Sequence, residues 1–514
     1  MAMMVRSLRN ISRLIRIARI LARHDALFFL ERLEVAPLLV WGTRLASRRQ
    51  QTGRPGQRLA AALQEAGPSF IKLGQALSTR SDLLGEEITS DLSDLQDKLP
   101  PFSGAEARAI IAGEFGCPVE SLFSQFDDNA IAAASIAQVH LAITSDGQEV
   151  AVKILRPAIE DAFARDLGLF LWVAELIEAA RPDYRRLKPV ESVRTLAETV
   201  KMEMDLRFEA AAAAELRDNF ADDPSFYIPA VDWGRTGRRV MTTERVSGIP
   251  IDDRAAIIAA GHQPDEILTK AAAAFFIQVF RDGFFHGDLH PGNLFVREDG
   301  SVAAVDFGIM GRLDRPNRRH LGELLMSFLE RDFRRVAEIH FDAGWVPEHR
   351  SVDAFTQASR SIAEPILDKP QNEISIARLL GQLFQIAETF DMETQPQLLL
   401  LQKTMLLAEG TGRILCPEAN MWFLARPLIE DWLTETLGPE ARLRDAASEI
   451  SDTLRRLPHL IAQVEKTADT LADGELKLHP ETVRALRGDQ RPQMGIMVGI
   501  LVLLFLLLLA VLAG

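Results

Sequence analysis

One stretch of the chain, Phe285–Gly308, constrains the fold more than any other. It reads FHGDLHPGNLFVREDGSVAAVDFG. Two short apolar runs, Leu294–Val296 and Val302–Val305, flank a polar turn and predict two paired strands. Such a hairpin brings the polar residues that precede its first strand close to those that follow its second.

The polar residues at that end of the hairpin are Asp288, Asn293 and Asp306. Magnesium prefers carboxylate and amide oxygens, and phosphoryl transfer needs mainly positioning and charge neutralisation. Four residues separate Asp288 from Asn293, as in a kinase catalytic loop, and Asp306 begins a DFG sequence. The alternative is a hairpin whose polar residues only form turns. Because protein kinases and small-molecule phosphotransferases share this pattern, it indicates ATP and magnesium but not the acceptor.

The composition limits the classes of protein to consider. At 514 residues the chain is too long for one ordinary core, so we expect two or more domains. The net charge of -14 argues against a general nucleic-acid binder. The two cysteines, Cys117 and Cys416, are far apart and build no disulfide framework or zinc pattern, which favours a reducing compartment.

The N-terminal segment is basic although the whole protein is acidic. Residues 1–50 contain ten Arg and three acidic residues. Along residues 5–23 the arginines fall on one side of a helix and the apolar residues mostly on the other. A basic amphipathic helix suits an anionic membrane surface; the alternative is a helix whose apolar side packs on the protein.

The C-terminal residues, 494–514, form an uncharged run that is mostly Leu, Ile and Val. A run of this length is able to cross a bilayer as a helix. Arg484, Arg487 and Arg491 precede it and no charge follows, so the positive-inside bias places the body of the protein in the cytoplasm. We therefore predict a single-pass anchor; the alternative is a buried helix of a soluble protein.

A mostly helical stretch contains Lys72 and Gln75, which are three residues apart and share a helix face. Gly74 inside this helix costs about 1 kcal/mol relative to alanine, which indicates close packing against another segment. From these residues alone, the simpler interpretation of Lys72 is a solvated lysine.

The sequence VAVK at Val150–Lys153 resembles the lysine strand of a kinase, which normally follows a glycine-rich loop. At the position of that loop the chain has Ala132, Ala133, Ala134 and Ser135. Glycine lets backbone N–H groups close on phosphates at positive φ, and alanine adopts that conformation at a cost. We therefore expect the nucleotide to sit differently, or its preference to be altered.

Kinases pair the strand lysine with a glutamate on a helix. Residues Val190–Phe220 predict a long helix that carries Glu203, Asp205 and Glu209. All three carboxylates are candidates, and periodicity alone does not choose among them.

Two features point away from peptide phosphorylation. Only a short segment without an APE-like sequence separates Gly308 from the next predicted helix. Gly287 also replaces the Arg of the kinase H-R-D sequence, which usually receives an activation-loop phosphate.

Together these residues resemble the UbiB family of atypical kinases, which is tied to ubiquinone biosynthesis. The resemblance spans residues 60–440 and rests on an ordered set of motifs. They are Lys72-x-Gly74-Gln75, the Ala-rich loop 132–135, Val150–Lys153 with Arg156-Pro157, Glu203-x-Asp205 with Glu209-Ala210, HGDLHPGN and DFG. A C-terminal hydrophobic anchor is also characteristic of bacterial members, which implies a location at the bacterial inner membrane.

The resemblance implies an α+β, atypical protein-kinase-like bilobal fold with a helical N-terminal extension and a C-terminal transmembrane helix. We accordingly divide the chain into six segments. They are a basic amphipathic membrane-proximal segment (1–50), a helical module containing Lys72 (51–128), a kinase-like N-lobe with inserted helices (129–250), a kinase-like C-lobe (251–435), a helical linker (436–493) and the transmembrane helix (494–514).

The resemblance also implies roles for individual residues. Lys153 would contact the α- and β-phosphates of ATP and pair with Glu209. Asn293 and Asp306 would bind Mg2+, and Asp288 would occupy the catalytic-base position.

In this family the helical module is thought to fold over the site where a protein substrate would dock. Lys72 and Gln75 would then reach toward the nucleotide, with Glu203 and Asp205 holding the module. This implication reverses the simpler interpretation of Lys72.

Three functions compete. The leading hypothesis is a membrane-anchored ATPase or small-molecule kinase in ubiquinone synthesis, which handles prenylated quinone precursors or their enzymes. The second is a phosphotransferase for a soluble hydroxyl compound, of the aminoglycoside or choline kinase type. The third is a nucleotide-gated scaffold for quinone-biosynthesis enzymes, which would bind nucleotide and hydrolyse almost none.

Overall fold

The structure is a computed structural model that describes residues 2–28, 53–78, 85–93, 95, 99–180, 189–365, 386–387, 389–392, 396–418, 427, 430 and 432. Its helices are α1 (Ala2–Arg23), α2 (Pro55–Ala66), α3 (Pro68–Ser78), α4 (Glu86–Ser93), α5 (Gly104–Phe115), α6 (Val119–Leu122), α7 (Ile159–Ala180), α8 (Pro189–Glu203), α9 (Leu206–Asn219), α10 (Arg254–Ala259), α11 (Pro264–Phe276), α12 (Arg315–Leu329), α13 (Phe333–Asp342), α14 (Val352–Ala363) and α15 (Pro396–Leu415). Its strands are β1 (Phe123–Phe126), β2 (Ala132–Ala133), β3 (Ala137–Thr144), β4 (Glu149–Leu155), β5 (Phe226–Tyr227), β6 (Val240–Glu244), β7 (Ile249–Pro250), β8 (Phe284–His286), β9 (Leu294–Val296), β10 (Val302–Ala304) and β11 (Met310–Arg312).

Helices from the N-terminal third bury a core of their own. Apolar residues of α1, α2, α3, α4 and α7 form this cluster. Phe70 of α3 meets Phe170 of α7 edge to face, with ring centroids 5.0 Å apart. A Cβ added at Gly74 would lie 2.8 Å from side-chain atoms of both Leu63 and Leu95. The close packing predicted at Gly74 is therefore confirmed.

The basic N-terminal helix packs its apolar side on the protein between residues 14 and 27. Ala18 and Leu21 are buried in the helical core, whereas Arg16, Arg19 and Arg23 are exposed. Packing on the protein, the alternative to lipid insertion, therefore describes this part of the helix. Attraction to an anionic membrane surface stays a prediction, and it rests on the exposed arginines.

An antiparallel sheet follows the helical core. Its strand order is β1-β3-β4-β6, and β2 pairs with β3. On β4, Val150, Val152 and Ile154 are buried against a cluster that includes Ile111 of α5. Because side chains alternate along a strand, Lys153 projects from the opposite face. One face of β4 therefore packs in the core, and the other presents the Lys153 side chain.

The predicted hairpin is present as β9 and β10, which pair antiparallel with Val302 opposite Val296. Strand β5 joins β10 in parallel and β7 joins β9, which gives a four-stranded sheet. Strand β11 pairs with β8, so the short segment after the DFG sequence returns directly beside the residues that precede the catalytic loop.

The long helix predicted over Val190–Phe220 is two helices. Helix α8 ends at Glu203 and α9 begins at Leu206. The Asp205 side chain accepts a hydrogen bond from the backbone N–H of Arg207 and caps α9. This break places Glu203 at the end of one helix and Glu209 on the next.

Within the part of the chain described above, no helix is both long and apolar enough to cross a membrane. The predicted span at 494–514 and the linker at 436–493 lie outside the described residues, so both stay predictions.

Candidate active site

The Lys153 ammonium joins three elements of the site. Its Nζ lies 2.7 Å from Glu209 Oε1 and 2.8 Å from Asp306 Oδ1. Strand β4 supplies the lysine, α9 supplies the glutamate, and the segment after β10 supplies the aspartate. Kinases need both this lysine–glutamate pair and the DFG aspartate in place. The structure therefore selects Glu209 from the three candidate carboxylates as the partner of Lys153.

Burial and charge oppose each other in this cluster. Burial lowers the pKa of Lys153, but the charges of Asp306 and Glu209 outweigh it and raise that pKa. The Lys153 charge lowers the pKa of Asp306 to about 2. Burial raises the pKa of Glu209 to about 7 against the attraction of Lys153. Two carboxylates share one ammonium, and the half-exposed Asp306 is the more anionic of the two.

Asp306 has an uncommon backbone conformation. Its φ is 63°, in the left-handed region that aspartate enters more readily than most non-glycine residues. A Cβ added at Gly308 would lie 3.4 Å from Asp306 Oδ1 and 3.7 Å from Glu209 Oε2. The DFG glycine therefore lies close to both carboxylates, and the strained aspartate sits where chemistry is expected.

Lys72 is a buried cation that faces the site. Its residue is 9% exposed, and Nζ lies 2.9 Å from Glu203 Oε2. Besides the charge of Lys153, the charge of Lys72 contributes to the low pKa of Asp306. The simpler interpretation of Lys72 as a solvated lysine is therefore wrong.

Two further residues of the predicted site, Gln75 and Asp205, make local contacts. Gln75 lies three residues after Lys72 on α3, is partly buried, and accepts a hydrogen bond from Ser78 Oγ at its backbone oxygen (2.7 Å). The Asp205 carboxylate contacts Arg207 at 2.6 and 2.8 Å. The Asp205 side chain thus caps α9 and binds Arg207, and its role in holding the module stays a prediction.

The Ala-rich loop begins as a strand. Ala132 and Ala133 form β2 and pair with Val139 and Gln138, so the loop is more extended than a turn built on glycines. Ser135 is fully buried, and its Oγ has no hydrogen-bond partner within the described residues. A direct contact between the Ser135 hydroxyl and a phosphate would therefore require the loop to change conformation.

Arg156 ties this loop to the helical module. Its Nε donates to the Ala134 carbonyl (2.9 Å), and its Nη1 donates to the Pro100 carbonyl (3.0 Å). Gln138 adds a second tie, since it accepts from the N–H of Phe102 (2.9 Å). The loop is therefore held to Pro100 and Phe102 of the helical module by polar contacts.

The catalytic loop is organised around a buried histidine. His286 Nδ1 accepts from the backbone N–H of Asp288 (3.1 Å), so the proton lies on Nε2, which faces the Val305 carbonyl (3.2 Å). Burial lowers the pKa of His286, which keeps the ring neutral. Asn293 Nδ2 donates to the backbone oxygen of Asp288 (3.0 Å). These contacts fix the backbone on both sides of the Asp288 side chain.

The residues that could hold magnesium are Asn293 and Asp306. The side-chain N–H of Asn293 donates to the Asp288 carbonyl, so its Oδ1 is the atom that could bind a metal. The Asp306 carboxylate is half exposed and anionic. Within the described residues no group of three or more His, Cys, Asp or Glu side chains is arranged around a metal position. Two hard oxygens suit a magnesium ion that takes its other ligands from phosphates and water. The donor set therefore fits Mg2+ bound together with a nucleotide.

A contact that the sequence motifs did not predict lies beside Asp288. Lys403 of α15 places Nζ 3.3 Å from Asp288 Oδ1. Leu400, one turn earlier, packs against Gly287, where an added Cβ would lie 3.0 Å from both Leu400 methyl carbons. The sequence signal was Gln402-Lys403, a polar pair that interrupts a run of leucines.

Comparison with known proteins extends this description. Residues 94–340 match the model of the ABC1 atypical kinase-like domain, and residues 359–420 match that of the UbiB helical domain. A probable protein kinase UbiB of Marinobacter nauticus is 42% identical over 451 residues, which cover 86% of this chain and 82% of the relative.

Two further proteins are similar to the chain. A probable protein kinase UbiB of Azotobacter vinelandii is 41% identical over 474 residues, covering 89% of this chain and 86% of its own. A solved complex of Rv3197 with erythromycin from Mycobacterium tuberculosis is 29% identical, covers 70% of this chain and 91% of its own, and has a TM-score of 0.48.

Proposed function

This chain belongs to the UbiB family of atypical kinase-like proteins, and from that premise we propose that it is a Mg2+-dependent phosphotransferase or ATPase that supports ubiquinone biosynthesis at a membrane. The observation that carries the proposal is the position of the Lys153 ammonium between Glu209 and Asp306. A lysine in this place orients the α- and β-phosphates of ATP while the DFG aspartate binds metal.

The residues of the site divide the work. Lys153 and Lys72 supply positive charge for the phosphates, and Asn293 and Asp306 supply oxygen ligands for the metal. Magnesium, when bound, would offset the negative charge of the phosphate oxygens. Asp288 occupies the position from which a carboxylate accepts the proton of an attacking hydroxyl. Because His286 and Asn293 hold the backbone around Asp288, the carboxylate starts from a defined place.

Packing around Gly287 supports a non-peptide acceptor. At the position that holds Arg in protein kinases, a Cβ would lie 2.9 Å from Ile309 Cγ2 and 3.0 Å from the Leu400 methyl carbons, so a side chain fits only if these neighbours move. The segment after the DFG sequence is paired as β11 with β8, and the Gly287 N–H donates to the Ile309 carbonyl (2.8 Å). Peptide-binding kinases use a longer and adjustable segment here.

The membrane part of the proposal rests on two sequence features. The predicted anchor at 494–514 and the exposed arginines of α1 would both favour a bilayer surface, as an apolar span and a basic patch do. Prenylated quinone precursors are bilayer-soluble, so we propose that they or their enzymes are met at the bacterial inner membrane, with the site on the cytoplasmic side.

The test is magnesium-dependent ATP turnover by the purified full-length protein. Turnover is measured with and without anionic liposomes that carry a prenylated phenol, beside Asp306→Asn and the matched exposed control Asp222→Asn. We expect turnover to rise with the liposomes, to be lost in Asp306→Asn together with magnesium-dependent nucleotide binding, and to persist in Asp222→Asn.

Other outcomes contradict the proposal in distinct ways. Unchanged magnesium-dependent affinity in Asp306→Asn would remove the site assignment. Tight ATP binding without turnover under either condition would favour the scaffold. Phosphorylation of a soluble hydroxyl compound with no response to liposomes would favour a phosphotransferase of the aminoglycoside or choline kinase type.

A further inference from the structure

Helix α15 contacts two consecutive residues of the catalytic loop, Gly287 and Asp288. Leu400 fills the space beside Gly287, and Lys403, three residues later on the same helix face, reaches Asp288. The neighbouring side chains of Leu401 and Thr404 are buried, at 5% and 0% exposure. The backbone position from which Lys403 extends is therefore fixed by packing on both sides of it.

The Asp288 carboxylate depends on this helix for its orientation. The backbone N–H and carbonyl of Asp288 are already held by His286 and Asn293. Within the described residues, Lys403 is the side chain that donates to the carboxylate, at 3.3 Å. Both side chains are partly exposed, at 40% for Lys403 and 33% for Asp288. An ion pair between partly exposed side chains contributes little to stability.

We propose that Lys403 is a positioning residue for phosphoryl transfer, an inference that rests on the function proposed above. Its ammonium holds the Asp288 carboxylate where an acceptor hydroxyl arrives. As the acceptor oxygen bonds to the γ-phosphorus of ATP, the bond from that phosphorus to the β–γ bridging oxygen breaks and ADP leaves. The hydroxyl proton moves to Asp288 and is later released to water. The helical segment 396–415 thereby controls a step carried out in the kinase-like domain.

The experiment compares Lys403→Met and Lys403→Arg in the full-length protein. Lysine and methionine are both good helix formers, so Lys403→Met removes the charge with little effect on α15. We expect kcat for magnesium-dependent ATP turnover to fall about tenfold in Lys403→Met while KM for ATP stays within about twofold, as when an interaction is made only in the transition state. Lys403→Arg keeps a cationic donor and should recover most of kcat.

The matched control is Lys201→Met, which removes the same charge from an exposed position on α8. It should leave kcat and KM unchanged. Unfolding midpoints of all variants are measured in parallel, because a merely structural role would lower the midpoint of Lys403→Met, whereas a positioning role leaves that midpoint unchanged.

Each remaining outcome overturns the inference. If the wild-type protein turns over ATP and kcat is unchanged in Lys403→Met, Lys403 is not a positioning residue, and the proposed function is unaffected. A raised KM with unchanged kcat assigns Lys403 to nucleotide binding instead. A lowered unfolding midpoint in Lys403→Met assigns Lys403 to structure. A wild-type protein that binds ATP and never turns it over removes the proposed function itself, and this inference with it.

Discussion

At one end of the site the Lys153 ammonium lies between Glu209 and Asp306, whereas at the other the Asp288 carboxylate meets Lys403 of a distant helix. In the first group the Lys153 and Glu209 side chains are buried, at 16% and 9% exposure, and Asp306 is half exposed. The second is partly open to solvent. We call these the nucleotide end and the acceptor end.

The two ends differ in how their charges are balanced. At the nucleotide end one cation faces two carboxylates at hydrogen-bond distance, so a positive metal ion is favoured there. At the acceptor end one cation faces one carboxylate at 3.3 Å, and the pair is neutral and solvated. A charge cluster that favours a metal ion, beside a neutral lysine–aspartate pair, suits an enzyme whose acceptor arrives separately from the nucleotide.

The largest effect is expected when the nucleotide end is broken. Lys153→Met leaves the Glu209 and Asp306 carboxylates without their shared cation, which should lower the free energy of unfolding by about 2–3 kcal/mol. Binding of Mg-ATP should be lost as well. Calorimetric titration with Mg-ATP and chemical denaturation measure the two effects. Lys201→Met is the control, and wild-type affinity in Lys153→Met would show that the cluster does not bind nucleotide.

The next largest effect, on turnover, is expected when a side chain is added at Gly287 in the acceptor end. Gly287→Ala places a Cβ 2.9 Å from Ile309 Cγ2 and 3.0 Å from Leu400 Cδ1. Side-chain ends must move, at a cost of about 1 kcal/mol. We expect turnover to fall several-fold while Mg-ATP affinity stays unchanged, and Leu400→Ala in the same chain to restore part of the turnover. A loss of nucleotide affinity would mean that the two ends are not independent.

A smaller effect should appear as pH dependence at the nucleotide end. The pKa of Glu209 is raised by burial from 4.5 to about 7, so the folded state binds this proton more tightly than the unfolded state. That contribution to stability is full below about pH 4.5 and is lost as pH rises through 7. Asp306 titrates near 2 and does not change in this range.

The measurement compares wild type with Glu209→Gln. The difference in unfolding midpoint, wild type minus variant, should decrease as pH rises from 5 to 7.5, because only wild type carries the titrating group. A difference that is flat or increases with pH would rule out a buried, proton-retaining Glu209.

The smallest effect is expected in the Ala-rich loop. Ala133→Gly releases one residue of β2 at a cost of up to about 1 kcal/mol and should shift nucleotide affinity or preference a few-fold. Competition between ATP and ADP for the site measures it. Ala260→Gly, at an exposed position at the end of α10, is the control. If Ala133→Gly changes neither affinity nor preference, the loop does not lie over the phosphates.

Much of the local structure could be predicted from the sequence. The hairpin β9–β10 and the lysine strand β4 both occur where the pattern placed them. These elements depend on alternation and turn residues within a few positions of one another, and a single sequence contains those signals. The family resemblance is confirmed as well.

The errors have two physical causes, a local helix cap and packing between distant segments. The single helix predicted over Val190–Phe220 is broken because the Asp205 side chain caps α9, and a cap competes with helix continuation. The residues around Lys72 in the sequence predict a surface lysine, and Lys72 is buried only because α3 packs near Glu203. Lys403 was missed because no motif contains it and its partner lies 115 positions away in the chain.

The sequence by itself determined the chemical groups of the nucleotide end and the hairpin that presents two of them, since spacing along a short segment sets which side chains are neighbours. The family resemblance already implied that Lys153 pairs with Glu209, and the structure confirms that pair. Only the tertiary structure decided that Lys72 is buried near Asp306 and that α15 reaches Asp288. Those choices depend on how distant segments pack and exclude water. Burial then sets the strength of each charge interaction, and local spacing carries no record of burial.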